Sequence, residues 1–130
     1  MATALTMMSI ALAAPQPPYT KVPREPEYET QASIRTLISN MAKAYGVSQV
    51  LALELGWIES QYVPTAENPI SSAKGLFQFI DSTWKHYCRG DRIDPYDNTR
   101  CAMERLADGE LWHWTSDKDT KRKLQEAGLL

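Results

Sequence analysis

One carboxylate in this 130-residue chain stands out by its surroundings. Glu59 occurs in Trp57-Ile58-Glu59-Ser60-Gln61-Tyr62, near the end of a helix-spaced apolar stretch, and is followed by Asn68-Pro69 and by Gly75-Leu76-Phe77-Gln78-Phe79. A carboxylate in the last turn of a helix faces the negative end of the macrodipole, and Trp57, Ile58 and Tyr62 add desolvation. Both effects raise its pKa. A carboxylic acid that keeps its proton near neutral pH is what general-acid attack on a glycosidic oxygen requires. On residue type alone, a solvent-facing helix position is the commoner place for a glutamate. Glu54, five residues earlier, reads as a core-edge or salt-bridged residue.

Other reactive side chains carry less. His113, between Trp112 and Trp114, reads as a surface or hydrogen-bonded residue rather than a base. Asp91, Asp94 and Asp97 recur every three residues, whereas a calcium loop needs alternating oxygen ligands with a glycine at its sixth position and a glutamate at its twelfth. Helix capping accounts for Asp94 and Asp97 better. Arg89-Gly90-Asp91 spells an adhesion tripeptide, a match that arises readily by chance. Two cysteines with only His86 and His113 to help have no zinc-site spacing, so neither a metal nor a cofactor is expected. Fourteen Lys and Arg against sixteen Asp and Glu give a net charge of −2, which lacks the basic footprint of nucleic-acid binding.

The elements that must position Glu59 are helices, and the class is mainly α. Ile34, Leu37, Ile38, Met41, Ala42 and Tyr45 recur at three and four residues, with Thr30 as N-cap and Gly46 as stop. A second helix starts at Ser48 and carries Val50, Leu51, Glu54, Leu55 and Ile58, ending before Pro64. Asp81 is read as the cap of a short helix through Trp84 to about Cys88. Asp94 and Pro95 open another that runs to Gly109. Ser116 opens a last helix whose Lys118, Lys121, Arg122 and Lys123 read as a solvated face. Leu76 to Ile80 is extended or irregular. Trp57 and Trp84 are assigned to the core, while Tyr62, Phe79, Tyr96 and Trp114 are candidates for a cleft.

Ahead of the helices the composition changes. Residues 1–14 read as a secretory leader: no charged side chain, an apolar stretch from Leu5, and a small-x-small Ala11-Leu12-Ala13 ending. An unstructured apolar tail is the alternative, and the stretch is too short for the roughly 20 residues of a membrane span. Residues 15–29 hold five of the eight prolines and read as a linker, leaving 30–130 as the folded unit. Cys88 and Cys101 bracket a polar loop. They are either two buried thiols or a disulfide, and the oxidising compartment that a leader implies favours the disulfide.

The run Ile58-Glu59-Ser60, the asparagine-containing turn, Ala73-Lys74-Gly75-Leu76-Phe77-Gln78 and the downstream Thr83-Trp84 together resemble the lytic transglycosylases of the soluble-lytic-transglycosylase type, over about residues 31–112. The resemblance implies a small lysozyme-like helical domain, of the goose-type lysozyme kind, with a substrate cleft. It implies Glu59 as catalytic acid and base, Ser60 as its orienting neighbour, and Gln78 and Gly75 in the sugar cleft, where the aromatic candidates Tyr62, Phe79 and Tyr96 would join them. Ser72-Ala73 stands where the family commonly has Gly-Ala, and Phe77 where it has Met. The family's Ala-Tyr-Asn-x-Gly stretch is not visible. That leaves Tyr96 as the candidate for the tyrosine that bonds the catalytic carboxylate, and it leaves lyase and hydrolase both open. The implied partner is peptidoglycan glycan strands, met by a monomer that is secreted or resident in the cell envelope, in a bacterial or phage setting. A non-catalytic peptidoglycan-binding module and a plain helical interaction domain are the rivals from other classes.

Overall fold

The computed structural model describes Tyr28 and residues 30–130, so the leader and nearly all of the proline-rich segment lie outside the described residues. Six helices follow in order: α1 Gln31–Tyr45, α2 Gln49–Ser60, α3 Asp81–Tyr87, α4 Pro95–Ala107, α5 Trp112–Thr115 and α6 Lys118–Glu126.

α1 begins with a capping box in which the Ser33 amide donates to Thr30 Oγ1 at 3.0 Å and the Thr30 amide donates to Ser33 Oγ at 3.1 Å. It ends at Gly46 in the left-handed region, and its buried stripe is Ile34, Leu37, Ile38, Met41 and Ala42. α2 is capped by Ser48 and buries Ala52, Leu55, Gly56 and Ser60. A Cβ on Gly56 would meet Ile38 Cδ1 at 3.1 Å and Phe77 Cζ at 3.5 Å, so a hydrogen there permits close packing of α1 and the 75–79 turn on α2. α1 packs on α2 and α4, and α6 packs on α2 and α5. Glu59 thus projects from a helix held between α1 and α6.

The connection from α2 to α3 carries two isolated bridges, Glu67 with Lys74 and Lys74 with Phe79, in place of a sheet. It is fastened by Asn98 of α4, which is fully buried. Asn98 Oδ1 accepts from the Phe77 amide at 2.8 Å, and Nδ2 donates to the Arg92 carbonyl at 2.8 Å. Trp114 Nε1 donates to the Phe77 carbonyl at 2.9 Å. The loop between α3 and α4 is clamped by Asp97, which accepts from the Asp91 amide at 2.9 Å and pairs with Arg100 at 3.0 Å in buried surroundings. Arg89-Gly90-Asp91 is therefore structural loop. The Cys88–Cys101 disulfide is formed, with Cα atoms 5.5 Å apart.

Four expectations are corrected. Asp81 does not cap α3; it is the first helical residue, Ile80 is the N-cap, and the Asp81 carboxylate pairs with Arg92 at 2.7 Å. The cap of α6 is Asp117 rather than Ser116, because the Asp117 carboxylate accepts the Thr120 amide at 3.0 Å, and the chain before it forms the short α5. Trp57 is 42% exposed, since it follows Gly56 by one residue and so falls off the stripe that buries Ala52, Leu55 and Gly56. Tyr96 is 2% exposed in the first turn of α4 and belongs to the hydrophobic core.

Candidate active site

Glu59 lies in the last turn of α2, at the side of a groove of about 530 Å³. One wall comes from the 68–80 connection, with Asn68, Gln78 and Phe79. The other comes from α5, α6 and their junction, with His113, Trp114, Asp117 and Thr120. Gln78 is held at φ 54° while its Nε2 donates to the carbonyls of Ala66 and Gly75, which fixes the turn that forms the first wall. Phe79 meets both Trp84 and Trp114 edge to face at 5.5 and 5.6 Å, an apolar corner beneath the groove.

The electrostatics single out Glu59. Its pKa is raised from 4.5 to about 7, first by burial, then by the negative charge of Asp117 and, more weakly, Asp119; Lys123 opposes the rise, as a hydrogen bond donated by Thr120 would. The contact to Thr120 Oγ1 is 3.4 Å, and the same hydroxyl lies 2.9 Å from Asp117 Oδ2. Near neutrality a large fraction of Glu59 therefore carries a proton.

The structure gathers some of the predicted residues and leaves others aside. Gln78 and Phe79 line the groove with Glu59, as does the cleft candidate Trp114. Ser60 does not; it is buried, and its hydroxyl donates back to the Gly56 carbonyl at 3.1 Å. Tyr62 is also off the groove, with its hydroxyl donating to the Leu53 carbonyl at 2.9 Å and accepting from Arg35 at 3.3 Å. Gly75 sits behind the wall, where a Cβ would come within 2.2 Å of Asn98 Nδ2, so its role is close packing of the turn rather than contact with a ligand. Tyr96, in the core, is not among the groove residues or the partners of Glu59. The hydroxyl within hydrogen-bonding reach of Glu59 is that of Thr120. His113 lines the groove with Nε2 2.9 Å from Glu110 Oε1.

Thr120, Asp117 and Lys123 were missed as site residues. α6 carries a single aliphatic side chain, Leu124, and its buried stripe is only Thr120 and Leu124, too thin a signal against the run of charges. The spacing Asp117-x-x-Thr120, a cap followed by its N3 residue, was the available clue. Among the described residues no group of His, Cys, Asp or Glu is placed to hold a metal ion, and no helix is long and apolar enough to cross a membrane.

A small, mainly helical domain, with no strand among the described residues, has the layout of the lysozyme-like class. Residues 36–110, more than half of the chain, match the family model of the transglycosylase SLT domain, and the chain belongs to this family of lytic transglycosylases, enzymes that cleave peptidoglycan glycans. No curated protein and no solved structure matches the chain.

Proposed function

We propose that Glu59 is the catalytic acid and base of a peptidoglycan lytic transglycosylase. Protonated Glu59 delivers its proton to the oxygen bridging N-acetylmuramic acid to N-acetylglucosamine, and the bond to the muramyl C1 breaks. The substrate's own N-acetyl carbonyl stabilises the oxocarbenium-like centre, an exception to the two-carboxylate scheme. Ionised Glu59 then takes the proton of the muramyl C6 hydroxyl, whose oxygen attacks C1 and leaves a 1,6-anhydro end. Attack from within the same sugar is favoured by its high effective molarity.

The observation that carries this reading is a groove-lining glutamate protonated near neutral pH. The hydrolytic outcome, a muramidase with the same acid, calls for a second free carboxylate or a well-placed water. The other two carboxylates of the groove are engaged: Asp117 Oδ2 accepts both the amide and the hydroxyl of Thr120, and Asp119 pairs with Arg122 and with Lys123 at 3.1 Å. A hydrolytic route would therefore use Glu59 itself to activate water, in competition with the C6 hydroxyl held on the same sugar. The disulfide suits an oxidising compartment, in keeping with action in the cell envelope.

Purified cell walls are the test substrate. Wild type solubilises them, and Glu59→Gln does not while still binding them. Mass spectrometry of the released muropeptides shows anhydro ends; reducing ends would assign the protein to the hydrolases. Equal clearing by wild type and variant would remove Glu59 from the mechanism.

A further inference from the structure

The family match ends at residue 110, yet the charged and hydrogen-bonding side chains that act on the Glu59 carboxyl come from residues 117–123. α6 and its cap, like the α5 residues of the groove, lie beyond the matched segment.

Thr120 is 3% exposed and its hydroxyl has one proton to give. Two carboxylates compete for it, Asp117 Oδ2 at 2.9 Å and Glu59 Oε2 at 3.4 Å. The shorter contact is a full hydrogen bond to an ionised acceptor, and the longer one is at the limit of a bond. Asp117 is itself fixed in place, because the same Oδ2 accepts the Thr120 amide as cap of α6. With its proton turned to Asp117, the Thr120 oxygen faces Glu59 with lone pairs only.

The geometry points to Thr120 and Asp117 as positioning residues for the reaction, with Asp117 holding the Thr120 hydroxyl in the orientation that accepts a hydrogen bond from the acid form of Glu59. The inference rests on Glu59 being the acid and base. At 3.4 Å the accepted bond is weak, so the proton is parked rather than trapped, and a glycosidic oxygen entering the groove competes for it. Once Glu59 is ionised it faces lone pairs and the Asp117 charge. That makes it a stronger base for the sugar hydroxyl in the second half of the reaction.

Every charged group facing Glu59 bears on the test. Asp117, Asp119 and Lys123 come from α6 and its cap, His113 comes from α5, and the 68–80 wall contributes no charged side chain to the groove. If Thr120 accepts from Glu59, removing its hydroxyl withdraws support from the acid form and lowers the Glu59 pKa. If Thr120 instead donates to the ionised form, removal raises it. The sign of the shift separates the two orientations.

The experiment is the pH dependence of solubilisation of purified peptidoglycan sacculi by wild type, Thr120→Val, Thr120→Ser and Asp117→Asn, with folding checked by circular dichroism and thermal melting. Thr120→Val should move the alkaline limb, where Glu59 loses its proton, down by about one pH unit, so that activity at pH 8 falls about tenfold while activity at pH 5 changes little. Thr120→Ser should restore the wild-type profile. Asp117→Asn keeps a good helix cap and shifts the limb the same way through loss of its charge, and Thr120→Ala carries the test should Thr120→Val fail to fold. An unmoved limb, an upward shift, or a Thr120→Ser profile that follows Thr120→Val would overturn the proposal. Glu59→Gln is run alongside: retained activity there would sink the assignment of Glu59 itself, an outcome distinct from failure of the Thr120 arm.

Discussion

Glu59→Gln should make the folded protein more stable, and only above a defined pH. The folded-state pKa of Glu59 is about 7 against 4.5 for the unconstrained side chain, so the folded chain holds this proton more tightly than the unfolded chain does. Below about pH 4.5 both states are protonated and the site costs nothing. Between about 4.5 and 7 the unfolded chain ionises first, and folding loses free energy progressively; above 7 the loss is complete. A rise of this size corresponds to about 3 kcal/mol, which partial solvent access to the carboxyl reduces to about 2 kcal/mol. Glutamine stays neutral and its amide can donate to Thr120 Oγ1 as the acid form does. The variant should therefore melt within a degree or two of wild type at pH 4 and about 10 °C above it at pH 8, for a folded unit of about 100 residues. Calorimetric melts of both proteins across that range are the assay. A melting difference that does not change with pH, or a wild type that is the more stable at pH 8, would refute a strained, proton-holding Glu59.

The other predictions concern the frame around the groove. Replacing Cys88 and Cys101 by serine opens a loop closed over a separation of 13 residues and should cost about 3 kcal/mol, seen as a lower melting temperature that a reductant reproduces in the wild type. Asn98→Ala leaves the Phe77 amide and the Arg92 carbonyl without their side-chain partner in a buried site; a loss of about 3 kcal/mol is expected by denaturant titration, with wall-clearing activity falling as the 75–79 turn loosens. Gly75→Ala places a methyl against Asn98 and the Arg92 carbonyl at φ 88° and should destabilise by about 2 kcal/mol or more by the same titration, whereas a neutral effect would show that the turn has room to shift. Trp114→Phe removes the donor to the Phe77 carbonyl but keeps the ring, so about 1 to 2 kcal/mol of stability should go while Phe79 stays covered.

The legible parts of this protein were those with a local signal. Thr30, Ser48, Gly46 and the Asp94-Pro95 pair mark helix ends through bonds to backbone a few residues away, and all four do so in the structure. The stripe of α1 was readable because five apolar residues repeat its period. Asp81 misled because a carboxylate ahead of a helix caps or pairs with equal ease, and a distant Arg92 took it. Tyr62 and Tyr96 misled for a related reason: an aromatic side chain suits a sugar face and a core alike, and only packing against Arg35, Leu53 or Tyr45 decides. Asn98 carries no local signal, because its partners at 77 and 92 precede it by 21 and 6 residues.

The rise in the Glu59 pKa has one cause that its sequence position suggests, burial, and one that it does not. The end of α2 and its apolar neighbours argue for a raised value, but Trp57 points outward and Tyr62 faces the far side of the helix. Burial is still the largest cause, with Ile58 lining the groove beside Glu59, and the next contribution is the charge of Asp117, from the cap of a helix so polar that its pattern suggests only solvent. That origin places one of the causes of the raised pKa outside the matched residues 36–110. A carboxylate cap is already needed to start α6. Placed beside Glu59, the same cap also opposes ionisation of the acid and commits the Thr120 hydroxyl. Folding and acidity thus depend on one carboxylate, so its neutralisation as Asp117→Asn, with the cap retained, should change the pH profile far more than the melting temperature.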